Sequence, residues 1–278
     1  MTDATSKPPS APLAFVSSMG EKTTSTIDHI GMMWYLLADA LGWVIMRATT
    51  RKARLGRVAI VSQLVRVGVQ SIFIVSLVSG AIGLILSLQM AGPLDQLGQR
   101  GLIPSIVGVA VFRELGPLIA AVVMVGFAGA AIAAEIGTMV VNEEIEALEA
   151  HALNPVRFLV VPRIIATVIS MGCLGVIADI VAVGASALLC KVVFRIGYVT
   201  FWNNVDAYVD GADVLTGLFK AFIFGGLIGL IACGNGLKVT GGAAGVGRAT
   251  TNTVVESIVA IIICSLIFTV IFYSLGII

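Results

Sequence analysis

The sequence has 278 residues, of which 58% are hydrophobic and only 12% are charged, and its formal net charge is +1. Because about a quarter of the residues are charged in a typical soluble domain, this composition predicts an integral membrane protein with one membrane domain. The near-zero net charge gives no reason to expect nucleic acid or a strongly acidic ligand as a partner.

The N-terminal part divides into a tail, a helix and a basic cluster. Residues 1–24 are rich in Ser, Pro, Ala and Thr and lack the order of a cleavable signal, so they are predicted to form a mobile tail. Residues 25–57 open with a capping-box pattern at Ser25, after which apolar residues recur at helical spacing. This amphipathic helix is predicted to lie in the membrane interface or, alternatively, to pack on the protein's own spans. The positive-inside rule places the basic cluster on the cytoplasmic side. The cluster consists of Arg47, Arg51, Lys52, Arg54 and Arg57.

Residues 58–278 contain five apolar runs that are long enough to cross a bilayer, which takes about twenty residues. They cover about 67–90, 106–133, 164–189, 214–233 and 254–278. The predicted fold is therefore all-α, with an N-terminal interfacial helix and five transmembrane helices. Lys and Arg are more frequent in the connections on the side of the basic cluster, which predicts a cytoplasmic N-terminus and a C-terminus on the outer side.

Two charged residues interrupt the second run, in the stretch VFRELGPL. Arg113 and Glu114 lie about 12 Å below the outer end of the predicted span. A charge near mid-membrane costs about 2.5–3.5 kcal/mol, so it normally faces the bundle interior or a wet cavity. Lys220 in the fourth span is a candidate partner for Glu114, and Asp179 in the third span is a candidate partner for Arg113. A structural polar network is the alternative to a cavity lining.

The connection between the second and third runs reads AEIGTMVVNEEIEALEAHALNP. Asn142 is predicted to cap a short acidic helix, which Asn154 and Pro155 then end. Such an amphipathic helix suits a groove on a cytoplasmic partner, and a solvated connector is the alternative.

The stretch SGAIGLILSLQM near the end of the first run combines small residues with Leu84 and Leu88. Helix packing explains this pattern, and a lining for an acyl chain fits it equally well.

A glycine-rich segment, GGAAGVGRATTNTVVES, precedes the last run. It lacks the order of a phosphate-binding loop, and Gly-Lys, which a Walker A motif requires, occurs nowhere in the chain. Any ATPase that drives this protein must therefore be another chain. The glycines predict a flexible hinge leading into the fifth span.

The sequence gives little support to a metal site or to an intramembrane enzyme. The four cysteines lack the close spacing of a metal or redox motif, and the two histidines are far apart. No nucleophile with a neighbouring base is evident. We therefore expect no cofactor in this chain.

Four ordered motifs, FRELGPL, AAEIGTMVVNEEIEALE, NPVRFLVVPRIIA and GVGRATTNTVV, resemble those of MlaE-type permeases. These are the membrane subunits of ABC lipid transporters that work with MCE-domain lipid-binding proteins, and the resemblance runs from about Arg47 to the C-terminus. It implies a homodimer that binds two cytoplasmic ATPase subunits, which carry ATP and Mg²⁺. It also implies a ring of MCE proteins and phospholipid in an outward-open cavity between the two copies. The lack of a recognisable thylakoid or envelope targeting segment favours a bacterial inner membrane. A scaffold subunit without a transport cavity is the alternative.

The resemblance assigns roles to two sets of residues. The lipid cavity or its polar network would contain Arg113, Glu114, Leu84, Leu88, Asp179 and Lys220. The acidic helix would be a coupling helix that seats in the ATPase, and the coupling residues would be Glu135, Gly137, Thr138, Glu143, Glu144, Glu146, Leu148 and Glu149. One departure from the family pattern is Phe127, which stands where an arginine is usual ahead of the AEIG motif, so a charge contact at the cytoplasmic end is expected to be missing.

Overall fold

The computed structural model describes residues 24, 28, 31–43, 45 and 57–277, and every regular element within them is a helix. Five of the helical runs are long and apolar enough to cross a membrane. They are Val58–Gln96, Arg100–Val141, Val156–Val192, Gly211–Leu237 and Gly242–Ser274. Lipid offers no hydrogen-bond partners, so a spanning chain must satisfy its backbone internally, as helices do. The five predicted spans are confirmed.

Several spans consist of more than one helical segment. Helix α1 covers residues 31–43. The first span contains α2 (Arg57–Val67), a 3-10 turn (Val69–Ser71) and α3 (Ile72–Gln96). The second contains a 3-10 turn (Arg100–Leu102), α4 (Ile103–Ala110), a π-helical segment (Val111–Leu115), α5 (Gly116–Met124), a second π-helical segment (Val125–Gly129) and α6 (Ala130–Val141). The remaining elements are α7 (Glu144–Ala150), a π-helical segment (Val156–Val160) with α8 (Val161–Val192), α9 (Tyr198–Tyr208), α10 (Gly211–Leu237) and α11 (Gly242–Ser274).

Helix α8 is at the centre of the bundle and packs most extensively against α3 and α10. Small residues permit this close packing, because a membrane gives no hydrophobic drive for helices to associate and contact area must come from close approach. At Gly225 of α10, a methyl group would lie 2.6 Å from the carbonyl oxygen of Thr167 in α8. The main core contains the fully buried side chains Met124, Met171 and Phe224.

The helices extend beyond the predicted apolar runs. The sequence motif AEIG, predicted to be a connection, lies in α6 and so continues the second span. Two elements, α2 and α9, were not predicted as helices. Hydropathy identifies only the apolar part of a helix that lies in the hydrocarbon region. It therefore does not detect helical turns outside that region.

The predicted hinge ahead of the fifth span is wrong. Helix α11 begins at Gly242, so most of the glycine-rich segment is helical, and only Gly241 and Gly242 within it have positive φ. Gly245 is buried, and a methyl group there would overlap the carbonyl oxygen of Thr240. This glycine therefore serves close packing rather than bending.

The described part of the N-terminal region packs on the bundle. Leu36 and Ala40 of α1 are buried, and Met33 contacts Gly234 near the end of α10. Trp34 and Tyr35 are largely exposed, so α1 keeps an aromatic surface that suits the predicted interfacial position. That position stays a prediction. The predicted tail, apart from Thr24, and the basic residues Arg47, Arg51, Lys52 and Arg54 lie outside the described residues.

Candidate functional site

The charged pair of the second span lies in the π-helical segment Val111–Leu115. This segment immediately precedes Gly116 and Pro117 at the start of α5. Proline has no backbone N–H, so the hydrogen-bond register ahead of it is easily altered, and π-helical segments occur frequently at functional sites. Arg113 and Glu114 are adjacent on the helix and therefore point in different directions, and each has its own partner.

Glu114 is paired with Lys220, as the sequence predicted. The ammonium of Lys220 donates to Oε2 of Glu114, to the Arg113 carbonyl oxygen at 3.3 Å and to Oγ1 of Thr269 at 3.0 Å. Ser265 donates to the other carboxylate oxygen of Glu114. All three donors of an ammonium are thereby used. Lys220 is 2% exposed, so it is held by protein contacts alone.

Arg113 is paired with Asp213, which corrects the predicted pairing with Asp179. Nε of Arg113 donates to Oδ1 of Asp213 at 2.5 Å. The second oxygen of Asp213 accepts from the backbone N–H of Asp210, which closes a capping box at the start of α10. Helix α10 begins beside the π-helical segment. The Asp213 carboxylate in its first turn therefore lies within hydrogen-bond distance of Arg113.

Asp179 lies apart from this cluster, buried in α8 against Gly116. A methyl group at Gly116 would overlap the Asp179 carboxylate, so the lack of a side chain allows this contact. The Oδ1 atom of Asp179 has no hydrogen-bond partner among the described residues.

Arg113, Glu114 and Lys220 line a cavity of about 510 Å³, and Asp213 pairs with Arg113 without lining the cavity itself. Arg113 and Glu114 are each about one-third exposed, and their charges are balanced by Lys220 and Asp213. The rest of the lining is mainly apolar and comes from α4, α5, α10 and α11. It includes Val109, Leu118, Ile262, Leu266 and Phe272. The cavity thus combines apolar walls with a charge-neutral polar cluster.

The predicted residues Leu84 and Leu88 of α3 do not line this cavity. Leu88 is about half exposed on the surface of the chain. A second apolar groove, of about 490 Å³, adjoins the cavity and shares Thr216 and Phe272 with it. The groove is also lined by Leu215, Leu218, Phe219 and Phe222.

Sequence reasoning missed Asp213, Ser265 and Thr269. The pattern Asp210-Gly-Ala-Asp213 signals a capping box at the start of the fourth span. Ser265 and Thr269 stand four residues apart in an apolar run, which places both hydroxyl groups on one helix face. Both signals are visible in the sequence, although neither identifies the partner.

The predicted coupling residues fall into two structural groups. Glu135, Gly137 and Thr138 belong to α6, where Glu135 forms ion pairs with Arg66 at 2.8 Å and Arg163 at 3.0 Å. Gly137 is buried, and Thr138 donates to a backbone carbonyl of its own helix. The second group is in or beside α7, which is mostly exposed. Its glutamates Glu143, Glu144, Glu146 and Glu149 are exposed, and Leu148 is half-buried.

The predicted cap of α7 is wrong. Asn142 ends α6, and Glu143, with a φ of 59°, precedes α7 instead. The two helices are therefore separated by a sharp left-handed turn rather than by a capped loop.

Together, the fold and the cavity define a multi-pass membrane protein in which a charge-neutral polar cluster lies in an apolar cavity between spans. Among the described residues, no group of three His, Cys, Asp or Glu side chains could hold a metal ion. The cysteines are all free.

The chain belongs to the MlaE permease family, whose pattern, described as Permease MlaE, matches residues 60–271. It is 32% identical over 262 residues to a probable ABC transporter permease protein of Rickettsia felis, covering 94% of this chain and 99% of that protein. It is 30% identical over 263 residues to the intermembrane phospholipid transport system permease protein MlaE of Haemophilus influenzae, covering 94% and 98% respectively. It is also 32% identical over 212 residues to the chloroplastic protein TRIGALACTOSYLDIACYLGLYCEROL 1 of Arabidopsis thaliana, covering 76% and 61%.

Proposed function

We propose that this chain is the permease subunit of an ABC transporter that moves phospholipid or a related lipid between the inner membrane and a conduit of MCE-domain proteins. The observation that carries the proposal is that Arg113, Glu114 and Lys220 line an apolar cavity, with Asp213 paired to Arg113. Such a cavity suits a ligand with an apolar body and one polar head. The names of the relatives point to the same class of transporter rather than to an enzyme.

Arg113 is the residue best placed to bind a lipid phosphate. Its Nε is used by Asp213, and the side chain remains about one-third exposed in the cavity. A guanidinium that keeps terminal N–H groups can donate two parallel hydrogen bonds to a phosphate. Glu114 and Lys220 would hold the helices that form the wall around the bound headgroup.

Two copies of the chain would complete the lipid site. Only a small part of α11 is buried within one chain, and its exposed side chains include Ile262 and Leu266 of the cavity lining. Leu84 and Leu88 would contribute apolar surface from the assembled dimer, because they do not line the cavity of a single chain. Asp179 would support the second span through its contact with Gly116.

The energy source would be a separate ATPase chain that binds ATP and Mg²⁺. Helix α7 would be the coupling helix, because it presents an acidic, exposed surface between two spans. The N-terminus and α7 would then be cytoplasmic, and the C-terminus would be periplasmic.

A scaffold role is the second candidate, and the fully used donors of Lys220 favour it, since a satisfied network can simply hold helices together. The two functions differ in their dependence on Arg113.

The test is to purify the chain with its associated proteins in mild detergent and to quantify bound phospholipid by mass spectrometry. Arg113→Gln is compared with Arg195→Gln, a matched change in the connection between α8 and α9.

A transporter predicts that Arg113→Gln loses phospholipid while the same proteins stay bound, and that Arg195→Gln keeps it. A scaffold predicts equal phospholipid in both variants and the unchanged chain. Equal values would therefore contradict the lipid cavity.

A further inference from the structure

A second polar cavity, which we call the Arg66 groove, lies at the other end of the second span from Arg113. It has a volume of about 220 Å³ and is lined by Gln63, Arg66, Gln70, Phe127 and Glu135 together with small and apolar residues. Phe127 belongs to the second π-helical segment of the span, so each π-helical segment of this span borders a charged cavity.

The depth of the Arg66 groove follows from the length of α3. Its 25 residues extend about 37 Å at 1.5 Å per residue, which exceeds the roughly 30 Å hydrocarbon core. The preceding segment, which carries Gln63, Arg66 and Gln70, therefore lies at the headgroup level. Because the first two spans run in opposite directions, this level belongs to the leaflet opposite the Arg113 cavity.

The groove has an excess positive charge once Arg163, which is buried behind Glu135, is counted with the lining residues Arg66 and Glu135. Glu135 accepts from Arg66 at 2.8 Å and from Arg163 at 3.0 Å, so one carboxylate is shared by two guanidinium groups. Arg163 is almost fully buried and also donates to the Leu159 carbonyl oxygen. Arg66 is 51% exposed at the mouth of the groove. Its remaining N–H groups have no hydrogen-bond partner among the described residues, and a phosphate would satisfy them.

The groove also contains an acceptor that lacks a donor. Oε1 of Gln63 is buried and has no hydrogen-bond partner among the described residues. Leaving a buried polar atom unpaired is unfavourable, so a rotation of the Gln63 amide that lets it accept from a donor in the groove would be favourable. The exposed side chains of Val65 and Val69 flank the groove and offer apolar contact outside it.

We propose that the Arg66 groove binds the headgroup of a phospholipid from this leaflet. The phosphate contacts Arg66, a hydroxyl or ammonium group of the headgroup donates to Gln63, and an acyl chain lies over Val65 and Val69. The site goes beyond the proposed function, because it requires neither the Arg113 cavity nor ATP hydrolysis. It identifies a lipid with a donor-bearing headgroup, such as phosphatidylglycerol or phosphatidylethanolamine, in preference to phosphatidylcholine.

The test is a lipid titration of the purified, delipidated full chain, followed by native mass spectrometry. Phosphatidylglycerol and phosphatidylcholine are the probes, and the variants are Arg66→Gln and Gln63→Met, with Arg195→Gln as the matched control. Arg66→Gln leaves Glu135 paired with Arg163, so the fold keeps its compensated carboxylate. We expect Arg66→Gln to retain one fewer phosphatidylglycerol per chain, with about tenfold weaker binding of that lipid.

Gln63→Met is expected to remove the preference for phosphatidylglycerol over phosphatidylcholine at the same site. Unchanged lipid retention in Arg66→Gln would overturn the proposal. So would displacement of the bound lipid by millimolar inorganic phosphate, which would identify a site for the free anion. A change in the number of chains per particle without a change in lipid would assign the groove to contact between copies instead. Arg113→Gln separates the two sites, because it leaves binding at the Arg66 groove intact even if the Arg113 cavity fails its own test.

Discussion

Lys220 is predicted to be the most sensitive charged residue of the Arg113 cavity. Lys220→Met should lower the free energy of unfolding by about 3 kcal/mol, because it leaves Glu114 in a largely apolar wall without its cation. The value is at the lower end for broken buried pairs, since Glu114 is one-third exposed. Thermal unfolding of the purified protein in detergent measures the loss.

Two further variants test the cause. Glu114→Gln combined with Lys220→Met should recover more than half of the lost stability, because no uncompensated charge remains. Lys191→Met removes a lysine whose ammonium lies 4.3 Å from the centre of the Tyr198 ring, and it should cost less than about 1 kcal/mol. A double variant as unstable as Lys220→Met would contradict the charge-compensation account.

At the residue scale, the sequence identified the charged residues that need partners. It was less able to identify which residue each of them pairs with. The depth of Arg113 and Glu114 in an apolar run showed that both need partners, and Lys220 was identified because few cations are available within the spans. Asp179 was an equally reasonable partner for Arg113, since both are charged residues of neighbouring spans. The choice of Asp213 depends on where α10 begins relative to the π-helical segment, and that relation is set by tertiary packing.

The contact between α8 and α10 makes a prediction about two adjacent glycines. A methyl group at Gly225 would lie 2.6 Å from the Thr167 carbonyl oxygen, whereas one at Gly226 would lie 3.7 Å from Val168 Cγ2. Gly225→Ala should therefore cost about 1–3 kcal/mol of stability through overpacking. Gly226→Ala should be neutral or stabilise the helix by about 0.5–1 kcal/mol. Parallel thermal unfolding of both variants measures the difference, and equal gains in stability would show that helix propensity rather than packing governs this contact.

Elements with a strong apolar signal could be predicted, and elements defined by packing could not. The five spans follow from the need of a lipid-exposed chain to satisfy its own backbone, so composition alone locates them. Helices α2 and α9 lie beyond the apolar runs and carry mixed residues that fit several structures. The glycines before the fifth span have high intrinsic flexibility, but close contact with the preceding turn keeps Gly245 in a helix.

At the scale of the whole molecule, the proposed transporter requires that α7 connects the spans to an ATPase. Its glutamates are exposed, so they are available to basic residues of a partner. Reversing the charges of Glu146 and Glu149 to Lys should reduce recovery of the ATPase with the affinity-purified chain by at least about tenfold, the effect of losing roughly 1.4 kcal/mol of binding free energy. Quantitative mass spectrometry of the co-purified proteins measures the ratio of ATPase to permease.

The control must reverse an acidic charge on an exposed helix at the other side of the membrane. Asp206→Lys on α9 meets this requirement, because Asp206 is exposed and α9 lies in the connection between the third and fourth spans. The Asp206→Lys control should keep the ATPase. The α7 variant should keep its phospholipid, because the Arg113 cavity lies in the other half of the spans. Loss of the ATPase in both variants would indicate general disruption of the complex. Retention in both would assign coupling to another exposed surface, such as the end of α6 at Thr138.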